Sequence, residues 1–368
     1  MKNNKKNTPL VCCLKKYSKG KNLRMHMPCH QARLGFLPDA EQLDVTELGF
    51  NDNLNSPDGV IADSQRLFAE LFGAKQAHFL TNGSSQGIFA FLGLLAGKTL
   101  LVEKDAHVSV NRGAKLFGVK LLFVETITKE VVEQNIEKHF ISGVLVRFPD
   151  YFGKIVDLKG IYQKTSQNNV LLFVDGAHGA HFGLSKYLPY HPVGYCDACV
   201  VSTHKTLGAF TQTAVILTQN EKIGEQLKKT INLTSTTSPS YVLMASIDYA
   251  RDYADRFAEK KLDELYANVK AFCQKLPSGL KALPTDDFCK LCLDFGRIGI
   301  SGETAFKFLA KRGIFAELYK GDCVLFYLGI FTTKADLNKL QKALKFLVKQ
   351  DFSGVEQKRG DGPFEFGE

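Results

Sequence analysis

From about residue 60 onward, the chain alternates between apolar runs of strand length and apolar runs of helix length. The first helical pattern, VIADSQRLFAELF at 60–72, groups its apolar residues on one helix face and is stopped by Gly73. Short β-rich runs then occupy 77–81, 99–103, 118–125, 143–148, 170–175, 198–203 and 213–218. Because strands this short and apolar are buried on both faces, the pattern predicts a large α/β domain with a seven-stranded, mostly parallel sheet.

The pattern changes after Tyr241. A charged amphipathic stretch without glycine or proline, 242–276, predicts a helix that carries the chain out of the first domain. Strands near 290–295 and 323–329, with helices near 302–312 and 333–349, predict a smaller α+β C-terminal domain. The tail lacks periodicity and is predicted to be frayed. The predicted division is therefore 1–58, a basic arm and lead-in segment; 59–250, the large domain; 251–350, the linking helix and small domain; and 351–368, the tail.

Composition narrows the class of protein. The 368 residues are 45% hydrophobic and 23% charged, which suits a globular protein of two domains at about 150 residues each. No apolar run approaches the ~18 residues that span a bilayer, so no membrane association is predicted. The net charge of +9 owes much to seven lysines within the first 21 residues. These indicate a solvated basic arm rather than a nucleic-acid site, and without a secretory signal the protein is expected in the cytoplasm.

Cysteine and histidine spacing argues against a metal site. The nine cysteines are odd in number and irregularly spaced, which is unlike a disulfide framework. The CxxC pairs at 196–199 and 289–292 fall in strand-like runs, where residues three apart point to opposite faces. His178 and His181 have no third ligand at a useful spacing. No metal is therefore predicted.

Polar groups collect where the predicted strands end, and in open α/β sheets that edge carries the chemistry. The turn TNGSSQ at 81–86 can seat a phosphate at a helix N-terminus, although taken alone it is better explained as an ordinary glycine turn with a serine N-cap. His107 follows the second strand and Asp175 ends the fifth; a satisfied histidine and an N-cap aspartate are the alternatives. Lys205 follows the sixth strand, where partial desolvation would lower its pKa and make it a nucleophile toward an aldehyde.

These segments together resemble the pyridoxal phosphate enzymes of fold type I, the aspartate aminotransferase-like fold, and more narrowly the ornithine/lysine/arginine decarboxylase family. The resemblance runs from about residue 24 to residue 250. It is carried by HMPCHQ (26–31), DVTELGFNDNLNSPDGVI (44–61), TNGSSQG (81–87), DAHVS (105–109), DGAHGAHFG (175–183), STHKTLGAFTQTAVIL (202–217) and TSPSYVLMAS (237–246).

The resemblance implies a role for each matching residue. Lys205 would hold the cofactor covalently, Asp175 would keep its pyridine nitrogen protonated, and His107 would stack on its ring. Ala177 would lie on the opposite face with His178 beside it. Phosphate contacts would come from Ser84, Ser85, Gln86, Ser202 and His204. The family also implies a homodimer or higher homo-oligomer with the active site at the interface, where Ser238 or Ser240 would reach the neighbour's phosphate.

The sequence departs from the family pattern in three places. Cys29 and Gln31 replace the usual glycine and lysine of the lead-in segment, and Val108 stands where a lysine often follows the stacking histidine. After Phe331 there is no proline-rich stretch like that of the family's C-terminal domain, so a short form is expected. Three functions stay open: decarboxylation of lysine, arginine or ornithine to the corresponding amine; another reaction of this cofactor, such as transamination, for which Arg297 or Arg312 would clamp a carboxylate; or a non-catalytic, cofactor-binding subunit.

A cationic small-molecule substrate needs an acidic residue at the far end of its pocket. Asp52, Glu317 and Asp322 are the candidates, and spacing does not choose among them.

Overall fold

The computed structural model describes residues 7–20, 22–352 and 357–362. Within these ranges the chain forms two compact units. The first takes in the chain up to Phe148 together with Val156–Phe182 and His191–Arg256. The second takes in Pro149–Ile155, Gly183–Tyr190 and the chain from Phe257 onward. No helix of the described residues is long and apolar enough to cross a membrane.

A seven-stranded sheet forms the centre of the first unit, in the order β1-β7-β6-β5-β4-β2-β3. Its strands are β1 Gln76–Leu80, β2 Thr99–Glu103, β3 Lys120–Val124, β4 Gly143–Arg147, β5 Leu171–Asp175, β6 Ala198–Val201 and β7 Ala214–Thr218. Only β7 runs antiparallel to its neighbours β1 and β6; the other pairings are parallel. The predicted fold class is confirmed, and each predicted apolar run contains most or all of its strand.

Helices precede, connect and follow these strands. They are α1 Pro9–Lys19, α2 Pro38–Leu43, α3 Val60–Leu71, α4 Gly83–Leu94, α5 Val108–Phe117, α6 Lys129–Lys138, α7 Leu158–Gln167, α8 Thr203–Thr206, α9 Glu221–Thr234 and α10 Tyr241–Gln274, the last continuing into the second unit. Helix α4 is largely apolar and packs into the core, where Phe91 stacks on Phe173 at 4.6 Å. Gly87 permits this approach, since a Cβ there would lie 2.5 Å from Val200 Cγ2.

The described part of the basic N-terminal segment differs from the predicted solvated arm; for residues 1–6 and 21, which lie outside the described residues, the prediction stays untested. Residues 9–19 form helix α1, with Leu10, Val11 and Leu14 buried. These apolar residues share one helical face because they lie one and four positions apart, while Lys15 and Lys19 are exposed. Only the lysine-bearing face is solvated.

The second unit contains a five-stranded antiparallel sheet in the order β12-β10-β11-β9-β8. Its elements are β8 Lys281–Ala282, β9 Lys290–Asp294, α11 Gly302–Ala310, β10 Leu318–Lys320, β11 Cys323–Tyr327, α12 Lys334–Leu347 and β12 Asp361–Gly362. The prediction of a frayed tail is wrong at 361–362, which pair with Tyr319 and Lys320 through backbone hydrogen bonds that leave no side-chain pattern. The rest of that prediction, at 353–356 and 363–368, lies outside the described residues.

Candidate active site

Two neighbouring parallel strands, β5 and β6, bring Asp175 and Lys205 to the same edge of the sheet. Asp175 is the last residue of β5, and its Cα lies opposite Val200 of β6. Two residues after Val200, Ser202 begins the turn into the short helix α8, which carries Lys205. Parallel strands end at a common edge, so the carboxylate and the amine belong to one site.

The segment after Asp175 folds back toward Lys205. The Gly176 N–H donates to the Val200 carbonyl at 2.9 Å, and Asp175 Oδ1 accepts the Ala177 N–H at 3.1 Å. This turn brings His178 Nε2 to 3.1 Å from Lys205 Nζ, within hydrogen-bond distance. No helix of the described chain starts at Asp175, so the alternative of an N-cap aspartate does not hold.

His107 stands at the N-terminus of α5, just beyond β2. Its Nδ1 accepts the Ser109 N–H at 3.2 Å, and Ser109 Oγ lies 2.8 Å from the same nitrogen. An Nδ1 that accepts a backbone N–H leaves the proton of the neutral ring on Nε2. Partial desolvation lowers the pKa of His107. The nearby cations Lys205 and Arg112 lower this pKa further, and the Asp175 carboxylate opposes the shift. The ring is therefore neutral near pH 7, and its side chain is still partly exposed.

The turn into α8 is held by hydrogen bonds to Thr213 and carries one polar group that has no partner among the described residues. Burial lowers the pKa of His204, whose Nδ1 lies 2.8 Å from the Thr213 carbonyl oxygen and donates to it. Thr203 Oγ1 lies 2.7 Å from Thr213 Oγ1. Ser202 Oγ is fully buried, and no described residue forms a hydrogen bond with it. A buried hydroxyl of this kind is costly unless another group satisfies it.

The glycine turn between β1 and α4 offers a helix N-terminus. Helix α4 begins at Gly83, and Asn82, not a serine, occupies the N-cap without a side-chain hydrogen bond. Ser84 and Ser85 lie in the first turn, partly buried; within the described chain no hydrogen bond joins their side chains to the other predicted site residues. Gln86 Nε2 donates to Ser235 Oγ at 2.6 Å, which leaves a buried Oε1 with no partner among the described residues.

The three acidic candidates for a cationic substrate are engaged elsewhere. Asp52 Oδ2 accepts backbone N–H groups of Gly59 and Ile61 at 2.8 and 2.9 Å, which caps α3. Glu317 accepts the Tyr151 hydroxyl at 2.6 Å, and Asp322 accepts Arg359 Nε at 2.8 Å. Each of the three carboxylates therefore already has an internal partner, and their role toward a substrate stays a prediction.

Two further predicted residues have local roles, and one unpredicted residue stands out. Ser240 Oγ accepts the Leu243 N–H at 3.4 Å, and Ser238 is exposed.

Arg147, at the end of β4, binds Glu103 at the end of β2. The sequence prediction missed this pair, although a charged residue at the last position of an otherwise apolar strand is a readable signal.

The donors present fit pyridoxal phosphate. Lys205 offers a primary amine, Asp175 a carboxylate for the pyridinium nitrogen, and His107 a partly exposed ring for stacking. The unsatisfied Ser202 hydroxyl and the first turn of α4 suit a phosphate. Together with the sheet, these features define the class: a pyridoxal phosphate enzyme of fold type I.

Comparisons with known proteins narrow the class. The profile of the family described as "Orn/Lys/Arg decarboxylase, major domain" matches residues 8–278. YaaO of Bacillus subtilis strain 168 is 30% identical over 355 residues, covering 88% of this chain and 74% of YaaO. Arginine decarboxylase of Halalkalibacterium halodurans is 28% identical over 385 residues, covering 95% and 78%. The chain belongs to the Orn/Lys/Arg decarboxylase family, whose enzymes are pyridoxal phosphate-dependent amino acid decarboxylases.

A solved structure supports the fold. The lysine decarboxylase LdcF of Francisella novicida superposes with a TM-score of 0.78 at 19% sequence identity. The match covers 93% of this chain and 60% of that one, so this chain spans about three fifths of the length of LdcF.

Proposed function

We propose that this protein decarboxylates a basic amino acid, namely arginine, lysine or ornithine, to the corresponding amine, with pyridoxal phosphate held by Lys205. One observation carries the proposal: Lys205 Nζ lies 3.1 Å from His178 Nε2, at the sheet edge that also holds Asp175. Family membership and the arginine decarboxylase relative support the choice of substrate class.

The side chains around Lys205 have distinct tasks in this proposal. When bound, pyridoxal phosphate supplies a conjugated ring that accepts the electron pair left as the bond between Cα and the carboxylate breaks. The Asp175 carboxylate holds a proton at the ring nitrogen, which makes the ring a stronger electron acceptor. In this proposal the neutral ring of His107 would cover one face of the cofactor ring, and the small, buried Ala177 would lie against the other.

His178 would accept a proton from Lys205 and donate it back. An ammonium cannot attack a carbonyl, so Lys205 has to lose a proton before it can bind an aldehyde. His178 Nε2, at 3.1 Å, is within reach to take that proton and to return it.

The phosphate would rest on the first turn of α4 and the turn into α8. Backbone N–H groups of Ser84 and Ser85 and the Ser202 hydroxyl would be the donors, with a further contact from His204. Gln86 would contribute its backbone N–H rather than its side chain, because Ser235 engages Nε2 and the remaining side-chain atom accepts hydrogen bonds.

We further propose a cytoplasmic homodimer or higher homo-oligomer, with the active site at the interface, that makes polyamines or their precursors. All nine cysteines lie within the described residues and are free thiols, which suits a reducing compartment. The exposure of His107 and Ser238 in the single chain suits a partner subunit above the site.

The test is release of labelled carbon dioxide from carboxyl-labelled arginine, lysine and ornithine by purified protein with added cofactor. We expect release from one of the three well above that from the others. No release from any of them, with cofactor bound, would contradict the decarboxylase proposal and favour another reaction of the same cofactor.

Cofactor attachment is tested separately with a matched pair of lysine variants. Lys205→Ala should abolish the visible absorption band that borohydride removes, because no amine remains to hold the aldehyde. Lys98→Ala, at an exposed lysine between α4 and β2, should retain that band. A borohydride-sensitive band in Lys205→Ala would assign the attachment to another lysine.

A further inference from the structure

Arg147 joins the ends of two strands in the first unit. Its Nε and one terminal nitrogen donate to Glu103 Oε2 at 3.1 and 2.7 Å, and that terminal nitrogen also donates to Asp105 Oδ1 at 2.7 Å. The Arg147 side chain is 26% exposed and that of Glu103 11%, so water screens this pair only partly. A fork of this kind fixes direction as well as distance.

The residues that Arg147 holds form the turn leading to His107. Glu103 ends β2, its carbonyl accepts the Ala106 N–H at 3.1 Å, and the His107 carbonyl then accepts the Val110 N–H at 2.9 Å as α5 begins. Glu103 Oε1 also accepts the Ile127 N–H at 3.1 Å, which ties the turn to the chain after β3. The His107 ring is thus held on its helix side by Ser109, while Arg147 holds two carboxylates of the turn that precedes His107.

The strand register places Arg147 beside the site. Strand β4 pairs with β5 so that the Cα of Arg147 lies opposite that of Asp175, and the Phe148 N–H donates to the Asp175 carbonyl at 3.0 Å. Arg147 therefore couples the strand carrying Asp175 to the turn carrying His107.

We propose that Arg147 is a positioning residue for the decarboxylation: through Glu103 and Asp105 it holds His107 at the angle needed to lie flat on the cofactor. The inference rests on the proposed function, in which His107 stacks on the ring. Arg147 touches neither substrate nor cofactor in this scheme. If the Arg147 contacts were lost and the His107 ring tilted, the Cα of the substrate would be free to rotate away from the angle that favours loss of its carboxylate.

The experiment compares holoenzyme of the wild type, Arg147→Lys, His107→Ala and the double variant. Arg147→Lys keeps the charge and loses the two-pronged geometry, so we expect kcat to fall about 10- to 100-fold. The visible circular dichroism of the bound cofactor, which reports how the ring is held, should change in the same direction as in His107→Ala. In the His107→Ala background, Arg147→Lys should have no further effect on either quantity.

Two more variants separate positioning from folding. Arg66→Lys makes the same change at an exposed arginine paired with Glu70 on α3, and should leave kcat and the dichroism unchanged. Asp105→Ala removes one contact of the fork at a side chain that is 70% exposed, and should alter the dichroism less than Arg147→Lys does. It serves in place of Arg147→Lys if that variant does not fold.

The outcomes distinguish the two proposals. An undiminished effect of Arg147→Lys, or of Asp105→Ala, in the His107→Ala background would overturn the positioning role, and so would the absence of any effect in the wild-type background. If His107→Ala itself changed neither kcat nor the dichroism, the stacking role under the proposed function would fail, and the inference with it.

Discussion

Replacing Asp248 with asparagine should make the stability of the protein less sensitive to pH. Asp248 lies on α10 and is fully buried; its Oδ2 accepts the Val11 N–H of α1 at 3.2 Å. Arg251 lies 3.5 Å from Oδ1, with Asp252 on the same helix and Ser64 on α3 close by. Burial raises the pKa of Asp248 from 3.8 to about 6; the Val11 N–H and Arg251 oppose the shift without cancelling it.

The direction of the pH effect on stability follows from the number of protons that the folded and unfolded states bind. With a raised pKa, folded Asp248 holds a proton between pH 3.8 and about 6 that the unfolded chain has already released. Its contribution to stability is therefore complete below pH 3.8 and is lost as the pH rises through 6. The shift corresponds to about 3 kcal/mol of unfolding free energy. Asparagine resembles the protonated acid in shape and cannot ionise, so Asp248→Asn should escape this loss.

The assay is urea unfolding of the wild type and Asp248→Asn at several values between pH 4 and pH 7.5. We expect the variant to gain about 2.5 kcal/mol relative to the wild type across this range, because the unfolded chain already releases part of the proton at pH 4. Asp255→Asn, which removes an exposed carboxylate near the same Arg251, is the matched control. A difference between Asp248→Asn and wild type that stays constant within about 0.5 kcal/mol would refute the reasoning and mean that Arg251 compensates fully for burial.

Two further predictions concern close packing and helix capping. Gly87→Ala would place a Cβ 2.5 Å from Val200 Cγ2 and should lower the free energy of unfolding by about 1–3 kcal/mol. At Gly194 a Cβ would meet no atom within 4 Å, so Gly194→Ala should change this free energy by less than about 0.5 kcal/mol. Equal effects of the two variants in urea unfolding would contradict this prediction. Asp52→Ala removes the acceptor for the first N–H groups of α3 and should lower the free energy of unfolding by at least about 2 kcal/mol. Asp52→Asn should recover part of this loss. Unchanged thermal unfolding in both variants would argue against the cap.

Much of the first unit could be predicted from the pattern of apolar residues. The seven strands coincide with short, mostly apolar runs, so the length and composition of each run are enough to find it. The small sheet was predicted less well, because β8 and β12 have two residues each and β10 has three, too few for any period to show. Helix α1 was interpreted as a solvated arm because its lysines masked a small apolar face of only four buried residues.

The candidate site also has parts that could be predicted from the sequence and parts that could not. Asp175 ends a strand and Lys205 and His107 follow strands, so motif reading located all three; their catalytic roles stay predictions. The fork from Arg147 to Glu103 was not predicted, since it joins residues 44 positions apart. The acidic residue for the substrate was also out of reach, because spacing cannot reveal that Asp52 already serves a helix end.

By itself, the sequence determined which segments become strands and helices and which chemical groups follow them, since these depend on residues close together in the chain. Only the tertiary structure decided which groups meet. His178 and Lys205 lie 27 positions apart, and their contact exists because β5 and β6 are parallel neighbours with a tight turn after Asp175. The protonation of His107 likewise depends on Asp175, Lys205 and the desolvation around it. Strand order and burial bring these charges together, and neither is a property of any local stretch of sequence.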